Sequence, residues 1–366
     1  MTARSTLFLF KAGRKARLDE SGPREFFYGF TEMSRLGVSA RLLEESDLPQ
    51  PALSGFLERL ATRFLDPLTG LNADTLSCLS SRKALAELNR AQALVATTNA
   101  YGLALGALKS VGLLAPPVLF LPMGVWPMQG AALRRPLLRH WLRQLSLAPI
   151  SLAETAWLRT RLGPSTDIAY LPFGVDTQFW SGEEPGRGGN YVFAIGNDPH
   201  RDWSTLAAAW SSNMPPLRIV TKRPVPPSEG RIDILVGDWN SRPIADQDIR
   251  DMYRESAFVV LPIRQTIQPS GQSACLQAMA CGKAVILSRI AGLWDDEAIR
   301  DGETCLLVPP GNPAALAQAV RTLSENPELA ARLGRNAREI VARRFTIERM
   351  GETMAARLQA IGSKAT

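Results

Sequence analysis

Histidine is nearly absent: His140 and His200 are the only two in 366 residues, far apart in the chain. A histidine-rich metal site is not expected, and a Ser-His-Asp hydrolase would depend on one of these two. Cysteine is sparse as well. Cys78, Cys275, Cys281 and Cys305 have neither metal-ligand spacing nor the density of a disulfide framework, and read as reduced residues of a cytoplasmic protein. Uninterrupted apolar stretches are missing. Residues 110–133 carry no charge, but Pro116, Pro117, Pro122 and Pro127 break them. Each would cost ~3 kcal/mol inside a helix, so a buried strand with flanking loops fits better than a membrane span. Thr6–Phe10 runs straight into the basic segment Lys11–Arg17, which does not read as a signal peptide. RNA-binding signatures, zinc fingers and long basic runs are also lacking, so nucleic acid is not an expected partner.

What is present is an apolar share of 45% and a formal net charge of +7. The length suits two α/β domains. The charge favours an anionic partner, whether nucleotide phosphate or acidic membrane, without choosing between them.

Short apolar runs alternate with helical patterns throughout, which predicts parallel sheets with crossover helices. In the first half, strands are expected at Thr6–Phe10, Ser39–Leu43, Gln92–Ala96 and Pro117–Leu121. Helices are expected at Pro23–Leu36, Leu53–Phe64 and Ala100–Val111. Pro136–Leu145 is an amphipathic helix, with Leu137, Leu138, Trp141, Leu142 and Leu145 on one side and Arg139, His140 and Arg143 on the other. It packs on its own domain or lies on anionic lipid. In the second half, strands are expected at Tyr191–Ile195, Leu217–Thr221, Asp233–Val236, Ala257–Pro262, Ala284–Ser288 and Cys305–Val308. Helices are expected at Asp202–Trp210, Ser273–Ala280, Pro313–Leu323 and Pro327–Phe345. Ser181–Asn190, rich in glycine and charge, is the natural linker.

From residue 146 onward the sequence resembles the family 4 glycosyltransferases of the GT-B fold. The match rests on Leu171-Pro172-Phe173-Gly174-Val175-Asp176-Thr177, on Ala278-Met279-Ala280-Cys281-Gly282-Lys283-Ala284-Val285, and on Glu297, Asp301-Gly302 and Leu306-Leu307-Val308-Pro309-Pro310-Gly311-Asn312-Pro313 in that order. The amino-terminal half matches only in its strand–helix rhythm. The resemblance implies an α/β chain of two Rossmann-like domains facing a central cleft. An acceptor domain would occupy 1–180, a donor domain 188–345, and a terminal helix at 346–366 would cross back. It implies transfer of a hexose-type sugar from a nucleotide-sugar co-substrate, a uridine diphosphate sugar, to an acceptor hydroxyl. Retention, no metal and no further cofactor are implied with it.

Breaking the glycosidic bond of such a donor develops negative charge on a diphosphate, which arginine, lysine and free N–H groups can stabilise. Arg201, in the loop Gly196-Asn197-Asp198-Pro199-His200-Arg201, resembles a family diphosphate ligand; its other reading is an ion pair with Asp198 or Asp202. Lys222 and Arg223, after the next strand, stand in for a missing second basic residue. Ser270, Gly271, Gln272 and Ser273 lead into a helix and suit a phosphate, or an ordinary serine cap. Relatives commonly carry two glutamates eight positions apart; here Pro269 and Gln277 occupy those places, and Gln277 can still bond ribose hydroxyls. Glu297 either binds the donor or caps the next turn, while Asp295 and Asp296 read as solvated loop charges. Lys11, Arg14 and Lys15, after the first strand, are candidates for a phosphorylated or lipid-linked acceptor, with Asn99 and Tyr101 beside them. A sugar-nucleotide epimerase, a non-catalytic sugar-nucleotide-binding partner subunit and a peripheral membrane scaffold are the rival readings.

Overall fold

The computed structural model describes residues 5–18, 20–49, 69–126, 134–181, 189–238 and 244–363. The chain divides into two compact units. One comprises Met1–Ser21, Phe26–Pro172 and Glu348–Thr366, the other Gly22–Glu25 and Phe173–Ile347.

In the first unit β1 (Thr6–Phe10), β2 (Ala40–Glu44), β3 (Leu94–Ala96), β4 (Val118–Phe120) and β5 (Ser146–Leu147) form one sheet, ordered β2-β1-β3-β4-β5. Every pairing is parallel. β1, β3 and β4 are buried at every residue, which is why they read as unbroken apolar runs rather than alternating ones. The helices are α1 (Ala73–Ser80), α2 (Arg82–Leu88), α3 (Asn99–Ser110), α4 (Arg134–Leu142) and α5 (Leu152–Leu162). Two glycines inside α3 cost about 1 kcal/mol each in helix propensity, and packing explains both. A β-carbon on Gly102 would overlap the Phe120 ring, and one on Gly106 would stand 2.9 Å from the Trp141 carbonyl oxygen. Leu138, Trp141 and Leu142 of α4 are buried in the same core.

The helix expected at Pro23–Leu36 does not form. Short 3-10 turns at Glu25–Phe27 and Phe30–Glu32 replace it, separated by Tyr28 and Gly29 at φ 50° and 81°. Aromatic packing overrides the helical period. Phe27 and Phe30 set their edges against Phe10, Phe30 also meets Phe8, and Tyr28 stacks on Phe10.

In the second unit β6 (Val192–Ile195), β7 (Leu217–Val220), β8 (Ile232–Leu235), β9 (Val259–Leu261), β10 (Val285–Ser288) and β11 (Leu306–Val308) are ordered β11-β10-β9-β6-β7-β8, all parallel. Its helices are α6 (Thr177–Trp180), α7 (Trp203–Ala209), α8 (Asp246–Glu255), α9 (Gln272–Ala280), α10 (Pro313–Glu325) and α11 (Pro327–Arg344). Asn312 and Asn326 cap α10 and α11, each followed by proline in the first turn, a position where the missing N–H costs nothing. The last helix, α12 (Ile347–Ser363), falls almost wholly in the first unit.

The units part at Pro172/Phe173, rather than near residue 180, because the segment after Pro172 is tied to the end of α11. Val175 N–H donates to Phe345 O at 2.8 Å, and Ile347 N–H donates to Val175 O at 3.2 Å. Gly174 has no room for a β-carbon against the Thr346 backbone. The helix expected at Leu53–Phe64 and linker residues 182–188 lie outside the described residues.

Candidate active site

The strand order of the second unit reverses between β6 and β9, so the loops leaving their carboxyl ends frame a crevice. Those loops are residues 196–202 and 262–271, and backbone bonds stitch them together. Asp202 N–H donates to Pro262 O at 3.0 Å, and Arg264 N–H donates to His200 O at 2.8 Å. Asp202 then caps α7 through Thr205 N–H at 3.2 Å. The sequence thus places a helix cap one residue after Arg201 and fixes where that arginine emerges.

Arg201 is the central side chain, 3% exposed. Its Nε lies 3.1 Å from Asp198 Oδ2. The contact is an ion pair by distance but lacks hydrogen-bond geometry, and neither Nε nor Nη1 has a hydrogen-bond partner among the described residues. The guanidinium passes between two glycines. A β-carbon on Gly196, at φ 148°, would collide with it, and one on Gly271 would lie 2.7 Å from Nη1. Asp198 answers the charge in part, but buried N–H donors left without an acceptor are costly until a further anion meets them.

Gly271 is also the N-cap of α9, in the left-handed region at φ 80°, with no side-chain cap bond. The serine-cap reading therefore does not describe this helix start. Ser270, 8% exposed, lies with its Oγ 3.3 Å from His200 Nδ1. Gln272 N–H closes a turn onto Pro269 O at 3.2 Å, and Ser273 follows in the first turn of α9. The positive end of α9 and the Arg201 guanidinium converge, an arrangement that suits phosphate.

The remaining donor-side candidates are placed differently. Asn197 ties three loops: its Nδ2 donates to Gly237 O at 2.6 Å, and its Oδ1 accepts from Lys222 N–H at 2.8 Å and Thr221 Oγ1 at 3.2 Å. Lys222 extends past the end of β7, its Nζ 3.1 Å from Asp238, with both side chains partly exposed. Arg223 donates to Asn197 O at 2.6 Å.

Gln277, 6% exposed, donates from Nε2 to Glu25 Oε1 at 2.9 Å, while its Oε1 accepts from Tyr253 OH at 3.3 Å. Glu25 is fully buried. It also accepts from Trp180 Nε1 at 2.8 Å and Asp176 N–H at 3.3 Å. Burial raises its pKa, and the bonds from Gln277, Trp180 and Asp176 oppose that rise. Sequence reasoning missed Glu25, because its partners lie 151 to 252 positions away.

Asp295 is a correction. It is buried, not solvated: its Oδ1 accepts the N–H groups of Glu297 and Ala298 at 3.1 and 3.0 Å, and Arg344 pairs with it at 3.0 Å. Asp295 caps the turn, and Glu297 stays exposed, 2.5 Å from Arg344 Nη1.

In the first unit Lys11 is exposed. Arg14 lies 5.5 Å over the Phe26 ring. Lys15 is engaged by Asp47 at 2.5 and 2.6 Å and sends its backbone N–H to Glu44 at 2.5 Å. Asn99 holds Met123 by both backbone groups, at 3.0 and 3.1 Å. Tyr101 donates to Phe10 O at 3.1 Å, and burial raises its pKa. Beside the Met123 loop that Asn99 holds sits a residue the sequence reading passed over. Glu154 Oε1 accepts from Gly124 and Val125 N–H at 2.7 and 3.2 Å, while Oε2 is buried without a partner among the described residues. Burial pushes its pKa up to about 7 against those two bonds. The spacing Ser151-x-x-Glu154 at a helix start was the available signal.

Two units, each a parallel sheet with flanking helices and the second reversing strand order at the Arg201 loop, define a GT-B fold. Anabaena Alr3699/HepE in complex with UDP and glucose is similar, with a TM-score of 0.69 at 16% identity over 98% of this chain and 100% of that one. A sucrose-phosphate synthase from Thermosynechococcus elongatus has a TM-score of 0.69 at 18% identity, covering 99% and 100%. Residues 235–326 match the family model described as Glycosyl transferases group 1. The D-inositol 3-phosphate glycosyltransferase of Streptomyces bingchenggensis is 36% identical over 95 residues, 26% of this chain and 20% of that protein. The alpha-maltose-1-phosphate synthase of Mycobacterium tuberculosis is 24% identical over 242 residues, 56% and 62% of the two chains. The chain thus matches only a fifth of the first relative's length and less than two thirds of the second's.

Proposed function

We propose that this protein is a glycosyltransferase that moves a hexose-type sugar from a nucleotide-sugar donor to an acceptor hydroxyl. The observation that carries this reading is the buried Arg201 guanidinium at the amino end of α9, with Nε and Nη1 lacking hydrogen-bond partners among the described residues. The acceptor oxygen bonds to the anomeric carbon as the bond to the diphosphate breaks. The electron pair goes to the diphosphate, and the acceptor proton ends on a phosphate oxygen. Arg201 and the first N–H groups of α9 stabilise that charge. Lys222 adds positive charge from the neighbouring loop. On this reading no metal and no separate cofactor take part, and the sugar is transferred with retention.

A uridine diphosphate sugar is the donor we favour, since Alr3699/HepE is seen with UDP and glucose. The acceptor we favour is phosphorylated or lipid-linked. Inositol 3-phosphate, maltose-1-phosphate and sucrose-phosphate stand in the names of similar proteins, and the exposed Lys11 leads a basic loop. The basic side of α4, with Arg139 and, just past its end, Arg143, supports peripheral contact with an anionic membrane. No helix among the described residues is long and apolar enough to cross one.

Thermal shift with a panel of nucleoside diphosphates and their sugars tests the reading. A ligand at about 100 times its dissociation constant adds ~2.7 kcal/mol. One nucleoside diphosphate series should stabilise the wild type, and Arg201→Ala should lose the effect. Stabilisation by none would remove the donor site. Pro269, where relatives commonly carry a carboxylate, favours a second reading, a subunit that binds donor without turnover. Product analysis with donor and a set of acceptors separates the two.

A further inference from the structure

We infer that Glu25 is a positioning residue for the donor's ribose, acting through the Gln277 amide; this rests on the donor-site reading above. A carboxylate only accepts hydrogen bonds, so its contact with Gln277 at 2.9 Å decides which way the amide faces. Nε2 is held on the Glu25 side, and Oε1 is left on the side of the Tyr253 hydroxyl. One N–H of the amide and one lone pair of its oxygen remain for a ligand. Glu25 is itself fixed by Trp180 Nε1 and Asp176 N–H, so the amide is locked from behind rather than by the ligand. Gln277 lies six residues beyond Gly271, about 9 Å along the helix axis from the phosphate end. That separation suits a ribose joined to a diphosphate held at Arg201. A glutamate at 277 would set two buried carboxylates against each other, so residues 25 and 277 tolerate one acid between them.

The test measures dissociation constants of UDP and of 2′,3′-dideoxyuridine diphosphate, on the full chain, by calorimetry. The proteins are wild type, Glu25→Gln, Gln277→Glu and the double exchange. We expect the wild type to prefer UDP by about tenfold, the equivalent of one or two hydrogen bonds. Glu25→Gln should shrink that preference to about twofold, because either amide can then flip. Gln277→Glu should lose it, and the double exchange should recover it, because one acid and one amide face each other again. A Glu25→Gln protein that melts cooperatively and keeps the full preference overturns the inference. If Glu25→Gln does not fold, the double exchange decides alone: UDP binding retained with the preference gone overturns it. A wild type that binds neither nucleotide overturns the donor-site reading and this inference together, a result recognisable before any variant is made.

Discussion

Arg201 Nη1 lies 2.7 Å from the point where a β-carbon on Gly271 would stand. The arginine and the glycine therefore share one volume, and the positive charge reaches the start of α9 only because residue 271 has no side chain. At φ 80° alanine would also be strained, by roughly 1–2 kcal/mol. We predict that Gly271→Ala lowers nucleoside diphosphate affinity at least about tenfold while a cooperative melt persists. Unchanged affinity in calorimetry would detach the glycine from the site.

Glu154 sets a pH dependence. Its folded pKa of about 7 stands above the ordinary 4.5 because of burial. Between those values the native state holds a proton that the unfolded chain has released, so stability falls as pH rises through this window. The loss is at most on the order of 3 kcal/mol. Glu25 and Asp295, also raised by burial, push the same way. Glu154→Gln keeps an acceptor for Gly124 and Val125, so its urea midpoints should fall less steeply between pH 5 and 7 than those of the wild type. Parallel curves would show that the carboxyl does not titrate there.

The buried apolar strands were legible because parallel sheets hide both faces, and Thr6–Phe10 was placed to the residue. The starts of α10 and α11 at Pro313 and Pro327 were placed to the residue, and that of α7 to within one. α8 escaped notice because it buries only Ile249 and Tyr253, too narrow a stripe to stand out. Local pattern also could not reveal Glu25 beside Gln277 across 252 positions, nor that Asp295 would meet Arg344. Arg201 was findable by family position; that its guanidinium is buried without full hydrogen bonding was not. The rule that failed, at Pro23–Leu36, failed where ring packing against Phe8 and Phe10 outweighed helical spacing.

Gly334 tests the packing behind α9. A β-carbon there would overlap the Gly282 carbonyl, just past the end of that helix. Alanine gains about 1 kcal/mol in helix propensity, and overpacking costs typically ~1–3 kcal/mol. The overlap is with backbone, which yields little, so we expect Gly334→Ala to be a net loss, seen as a lower Tm. A raised Tm would mean that α11 can shift away without cost.

Lys222 separates steering from direct stabilisation. Its side chain is 46% exposed, and its ammonium lies 3.1 Å from Asp238, whose side chain is 30% exposed. To act on a leaving diphosphate it must give up that partner, and an exposed pair of this kind is worth only about 0–1 kcal/mol. Exchange is therefore cheap, and the lysine's gain is correspondingly small and sensitive to salt. Lys222→Ala should weaken nucleoside diphosphate binding by no more than about fivefold, well short of the loss in Arg201→Ala. Asp238→Asn, which releases the lysine, should move affinity the opposite way. Both effects should fade as salt rises. If Lys222→Ala instead matches Arg201→Ala at high salt, the ammonium sits on the diphosphate in the bound state, and its pairing with Asp238 belongs to the unliganded chain alone.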